Sequence, residues 1–250
     1  MLAFTVLTGC SKNNENTKTP NEAENREERG PRIKQEVYSF KVEGFDRGKK
    51  LQWGLEGESA NVIEDLIKIK NLKAVYRGDE GTFTVFADKA VYNKTTRDVE
   101  LIENIVGRTK DGGELTTDRA NYNSEKEEIT TKSYVVVKRE NITCAGRGLI
   151  TKPKLKWAAF QSEVDVDFGR EEDRRIICDG PFEIDHEKHT AVFYNNVRII
   201  DKKTETLTDK LTVYLDPETN AIARVVTEGN VEIVHRGDVG DLENMGKMNF

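Results

Sequence analysis

An Asp-led segment returns at an interval of 30 residues in this chain. Asp88-Lys89-Ala90-Val91-Tyr92-Asn93 is answered by Asp118-Arg119-Ala120-Asn121-Tyr122-Asn123 (118 − 88 = 30). Asp179-Gly180-Pro181-Phe182-Glu183-Ile184-Asp185 is answered by Asp209-Lys210-Leu211-Thr212-Val213-Tyr214 (209 − 179 = 30). Each segment runs into a polar turn, at 93–97, 123–127, 185–189 and 216–220, and then into an apolar stretch, at 99–106, 129–138, 190–200 and 222–234. Three of these stretches carry an Asn before a Val or Ile in mid-course: Asn104-Ile105, Asn196-Val197 and Asn230-Val231. A unit of this size cannot bury its own apolar face and has to stack on its neighbours. An elongated, layered, antiparallel all-β structure is therefore predicted.

From Ile33 onward, short runs of Val, Ile, Thr, Tyr and Phe alternate with Gly, Asn, Asp and Lys clusters, the pattern of strands and turns. Residues 59–70 read as strand, because Leu66-Ile67-Lys68-Ile69 alternates apolar with polar. Successive strand side chains point to opposite faces. One face is therefore shared by Phe83 with Val85, Val135 with Val137, Ile142 with Cys144, Phe182 with Ile184, Val197 with Ile199, and Val231 with Ile233. Lys, Arg, Glu and Thr hold the opposite face. Such a sheet, folded on itself, has an apolar lumen and a charged exterior.

Composition removes other classes. The 250 residues carry 39 Lys and Arg against 45 Asp and Glu, a net charge of 39 − 45 = −6. No basic excess exists to displace counterions from nucleic acid. No set of apolar runs suits a polytopic membrane protein. Three cysteines are too few for a disulfide-built mini-fold. Neither a phosphate-binding glycine loop nor an HExxH sequence occurs, and no Ser or Cys stands beside a His.

The N-terminus reads as an export address. Leu7-Thr8-Gly9-Cys10 resembles the lipobox of bacterial lipoproteins, in which the cysteine is acylated and becomes the mature N-terminus. Residues 1–10 are expected to be this signal, without the usual basic n-region. Residues 11–32, rich in Asn, Glu, Lys and Arg, are expected to be a flexible tether. A lipid anchor with a tether puts the folded part beside a membrane, outside the cytoplasm.

The β region resembles a known family, the LptC and LptA (OstA-like) periplasmic proteins of lipopolysaccharide export. Trp53-Gly54-Leu55-Glu56-Gly57-Glu58-Ser59-Ala60 is similar to the opening of LptC domains. Ala87-Asp88-Lys89-Ala90-Val91-Tyr92, then 99–105, then Asp111-Gly112-Gly113-Glu114-Leu115-Thr116-Thr117-Asp118, and finally Gly146-Arg147-Gly148-Leu149 follow the family's order. Residues 178–237 look more like the first units of LptA, through Thr190-Ala191-Val192-Phe193-Tyr194-Asn195-Asn196-Val197, Leu207-Thr208-Asp209-Lys210-Leu211 and Glu228-Gly229-Asn230-Val231-Glu232-Ile233. The expected organisation is an LptC-like domain at 33–177, LptA-like repeats at 178–237 continuing the same sheet, and an unassigned tail at 238–250.

The resemblance implies a V-shaped β-jellyroll without enzymatic activity or cofactor. It implies a periplasmic carrier that receives lipopolysaccharide from an inner-membrane ABC transporter and passes it to LptA-like proteins through paired strand edges. The lipid A acyl chains would lie in a groove lined by Phe83, Val85, Leu101, Val135, Val137, Ile142, Phe182, Ile184, Val197, Ile199, Val231 and Ile233. Removing apolar surface from water stabilises such a complex by roughly 25 cal/mol per Å². The alternative is a structural or adhesive β-repeat lipoprotein whose interior is packed shut.

Other constellations have plainer readings. His186 and His189 fall in a polar stretch that reads as a solvated hairpin turn, with no evident third metal ligand. Cys144 and Cys178 both alternate with apolar residues, and a disulfide between them requires adjacent strands; otherwise they are buried thiols. Glu163, Asp165 and Asp167 alternate along one strand face, the nearest thing here to a paired-acid glycosidic site. Arg147, Arg170, Arg174 and Arg175 are candidates for lipid phosphates or for plain surface solvation.

Overall fold

The computed structural model describes residues 35–45, 51–78, 81–152, 156–169, 173–219 and 222–235. The expected signal with Cys10, the tether and the tail at 238–250 lie outside them. The strands are β1 (Gln35–Phe45), β2 (Leu51–Ile63), β3 (Leu66–Gly78), β4 (Gly81–Asn93), β5 (Val99–Thr109), β6 (Glu114–Asn123), β7 (Glu128–Arg139), β8 (Ile142–Lys152), β9 (Trp157–Asp167), β10 (Arg175–Cys178), β11 (Phe182–Asp185), β12 (Thr190–Ile200), β13 (Thr204–Leu215), β14 (Ile222–Glu228) and β15 (Glu232–His235). They form one antiparallel sheet in chain order, consistent with the LptC/LptA β-jellyroll. The stretch 59–70 is strand at both ends, with a turn at Glu64-Asp65 that the alternation does not reveal.

Two strand positions are broken. β10 and β11 both lie between β9 and β12, separated by Asp179-Gly180-Pro181. β14 and β15 both pair with β13, separated by Gly229-Asn230-Val231. These breaks belong to a line of bulges across the sheet. The register shifts between Phe86 and Lys89, Ile102 and Ile105, Thr116 and Asn121, Thr131 and Tyr134, and Tyr194 and Val197. Bulges bend strands and increase their twist. With no second layer of elements among the described residues, the apolar face of this one sheet can be buried only against itself.

The mid-strand asparagines noted in the sequence sit on this line, with positive φ: Asn104 at 49°, Asn196 at 53° and Asn230 at 32°. Asn tolerates the left-handed region better than most residues. Each Asn donates from Nδ2 to the Asp that leads the repeat: Asn104 to Asp88 at 2.6 Å, Asn196 to Asp179 at 2.6 Å and Asn230 to Asp209 at 2.9 Å. The two sequence signals of the repeat are thus halves of one device that fixes where strands bend. Buried threonines satisfy carbonyls that the bulges free: Thr117 Oγ1 donates to the Tyr134 carbonyl at 3.0 Å and Thr208 Oγ1 to that of Glu228 at 3.0 Å. Asn196→Ala is expected to destabilise more than Asn196→Gly, by about 1–2 kcal/mol for forcing Cβ into the left-handed region. Urea unfolding of the two variants measures the difference; equal midpoints would show that backbone conformation is not what the Asn supplies.

The outer face is laced with exposed ion pairs, including Lys89–Glu103 at 2.7 Å, Arg147–Glu163 at 2.9 Å and Lys210–Glu228 at 2.7 Å. Each is worth at most about 1 kcal/mol. Their service is to keep this face in water.

Candidate functional site

The inner face carries two apolar clusters. Ala60, Ile69, Leu72, Ala87, Ala90 and Ile105 form one, with Phe40, Leu55, Ile67, Val85, Leu101 and Ala120 packed against it. The other is larger and is built around Val135, Phe160, Val164, Phe182, Phe193, Val197 and Leu211. It runs without a break from β7 to β13, so Cys178, where the second set of repeats is expected to begin, lies inside a packed core.

Strand register explains the difference between the clusters. In the first, cross-strand neighbours run Ala60, Ile69, Ala90, Leu101, Ala120, so every second position is an alanine. In the second, the equivalent row runs Leu149, Phe160, Phe182, Phe193, Leu211. The small row leaves its half of the interior less filled. At the strand ends of this half, Trp53 faces Tyr76 and Tyr76 faces Phe83. These aromatic side chains are 38%, 54% and 38% exposed. An open cavity of about 740 Å³ lies here, lined by Tyr76, Gly81, Thr82, Phe83, Thr109, Lys110, Asp111 and Arg139, within the size range of ligand sites. Arg139 pairs with Asp111 at 2.6 Å. The Asp111 carboxyl is held below its ordinary value by its hydrogen bond with Thr109 and then by the Arg139 charge.

The residues expected to line a groove divide accordingly. Phe83, Val85 and Leu101 belong to the sparse half. Val135 and Val197 are 0% exposed and Phe182 4%, sealed in the larger core; Val137, Ile184 and Ile199 are half-buried against it. Ile142, Val231 and Ile233 are exposed. Ile233 faces Thr206 on the inner side, but among the described residues β15 pairs only with β13 and no further strand covers it. Trp53 and Tyr76 were legible only in part. With a turn centred between residues 64 and 65, position 53 mirrors 76 (53 + 76 = 129), and that turn was the missing piece.

Cys144 and Cys178 are free thiols. Cys144 faces Val166 and Cys178 faces Val164, so β9 lies between them. Two strand spacings put them about 10 Å apart, beyond the reach of a disulfide. Burial pushes the Cys144 thiol up to about 12, with Asp165 adding to it, and the Cys178 thiol up to about 11. Both stay protonated near neutral pH, where only a thiolate would be nucleophilic.

The remaining candidates are surface features. Glu163 is engaged by Arg147, and Asp165 accepts from Arg175 Nε at 2.8 Å. The Asp167 carboxylate accepts the Gly169 amide at 2.7 Å. His186 and His189 lie in the turn joining β11 to β12, where Asp185 accepts the Lys188 amide at 3.0 Å. Arg170 lies outside the described residues.

Residues 1–167 match the protein family described as lipopolysaccharide-assembly, LptC-related. The chain belongs to the LptC-related family. No curated protein matches the chain. Membership gives the protein a role in lipopolysaccharide transport, and proteins of this family are periplasmic and anchored at the inner membrane. Among the described residues, no helix is long and apolar enough to cross a membrane. The family match ends at Asp167, the last residue of β9, while β10 to β15 continue the same sheet beyond it.

Proposed function

We propose that this LptC-related protein is a lipopolysaccharide carrier that shelters acyl chains on the inner face of its sheet and passes them on through strand-edge contacts. The observation that carries the reading is the exposed aromatic row of Trp53, Tyr76 and Phe83 on a face that is otherwise apolar and alanine-lined. The cavity beside it is lined by Lys110 and by Arg139, the latter paired with Asp111, and Lys110 suits the anionic sugars of a lipid whose tails lie inward. The donor would be the inner-membrane ABC transporter and the acceptor an LptA-like protein. Both sheet edges support this: among the described residues β1 pairs only with β2, and β14 and β15 only with β13, so each offers backbone groups to an added strand. Exposed Tyr38 and Val42 on one edge, and Ile222, Val225 and Val234 on the other, supply apolar surface there. An N-terminal lipid on Cys10 would hold the domain at the membrane, and residues 178–237 would continue its sheet as LptA-like units.

Val85→Arg tests the groove. Val85 is only half-buried, so the sheet is expected to persist while a guanidinium stands among the acyl chains. Capture of lipopolysaccharide by the purified protein is expected to fall about a hundredfold or more, from the cost of burying an unpaired charge. A folded Val85→Arg protein with undiminished capture rejects the groove and favours the structural alternative.

A further inference from the structure

We infer that the acyl-chain site stops at the β6–β7 junction, and that the stacked rings of Phe160, Phe182 and Phe193 shut the rest of the interior to lipid. This rests on the carrier reading and adds a boundary to it. Three independent observations place the stop. The side-chain row changes from alternating alanine to leucine and phenylalanine on crossing the sheet. The Phe182 ring lies 4.1 Å from Phe193 and 6.2 Å from Phe160, at interplanar angles of 17° and 19°, which leaves no gap between neighbouring rings for a chain of methylenes. The largest fully buried side chains, Leu211, Val135, Val164 and Val197, all lie on the closed side, whereas the exposed aromatic row lies on the other and its cavity reaches no further across the sheet than Arg139, the last residue of β7.

The junction also carries a longer unpaired stretch than the β5–β6 and β7–β8 bulges beside it. β6 and β7 pair at Thr116–Val136 and again at Asn121–Thr130, and the register shifts between them. An amphiphile with saturated acyl chains and an anionic head therefore enters and leaves the interior on the β2–β6 side. The strands beyond the family match, β10 to β15, do not lengthen its path. They close the end of it and carry the β14–β15 edge, which is left for protein contact.

The full chain carrying p-azidophenylalanine at Phe83, Phe182 or Phe193, in place of a ring of nearly the same size, is mixed with lipopolysaccharide and irradiated. The outward position Lys138 serves as background. An adduct is expected from Phe83, with no more than background from Phe182 and Phe193. Adducts from all three positions would overturn the stop and leave the carrier reading intact. Background from all three would remove the carrier reading and the stop together. Hydrogen exchange of the unmodified chain gives an answer that needs no variant to fold. Lipopolysaccharide is expected to slow exchange in β2 to β6 and to leave β9 to β13 as in the free protein; slowing across β9 to β13 overturns the stop.

Discussion

Phe182→Ala is expected to lower unfolding stability by about 3–5 kcal/mol, the cost of deleting a buried aromatic side chain and leaving a cavity. Phe182 is the middle ring of the stack and is 4% exposed. Its strand, β11, is only four residues long and is held on both sides, with Phe182 facing Phe160 across one pairing and Phe193 across the other. Neither neighbour can collapse into the space without leaving its own register. Phe182→Leu keeps most of the volume and is expected to cost less than about 1.5 kcal/mol. Urea midpoints of the two variants decide the matter. A Phe182→Ala protein as stable as the Leu variant would mean that the stack is not a tightly packed core.

Gly180→Ala is expected to be comparably severe for a different reason. Gly180 has φ +98°, a conformation that costs any L side chain about 1–3 kcal/mol. An added Cβ would also lie 2.5 Å from the Gln161 carbonyl oxygen and 2.8 Å from the Ser162 Cα, both backbone atoms of β9. Relief requires shifting a central strand, and overpacking of that kind adds about 1–3 kcal/mol more. Gly81→Ala is the natural control. Gly81 has φ +126° with no atom within 4 Å of the added Cβ, so it carries the backbone term alone. Thermal unfolding of the pair separates conformation from contact. Equal losses would show that the approach of the 179–181 break to β9 is loose.

Much of this architecture was legible in the residues. The 30-residue interval of the leading Asp and the asparagine before Val or Ile gave the repeat, and structure shows them bonded to one another at three of the bends. Alternation gave the inner face, because a period of two survives wherever one side is dry. It placed Ile233 on the inner side but not in cover, because alternation reports direction and not coverage, and among the described residues no strand lies beyond β15. It also could not distinguish a filled interior from a half-filled one. Ala60, Ala90 and Ala120 drew no notice as site residues, since an alanine contributes by the space it leaves. The cysteine pair failed for want of topology: sequence places Cys144 and Cys178 on one face, and only strand order puts β9 between them.

The order of the sheet has a consequence for how the molecule comes into being. Nearly every strand pairs with the one before it and the one after it; even the exceptions, β9 with β11, β10 with β12 and β13 with β15, reach past a single short strand. Loop closure between distant segments, the step that slows most β proteins, is therefore small at each addition. A chain delivered N-terminus first, from a ribosome or through a translocation pore, can add each hairpin to an edge that is already waiting. The growing end is then always a sticky strand, and the last one among the described residues, β14–β15, keeps the property that assembled all the others.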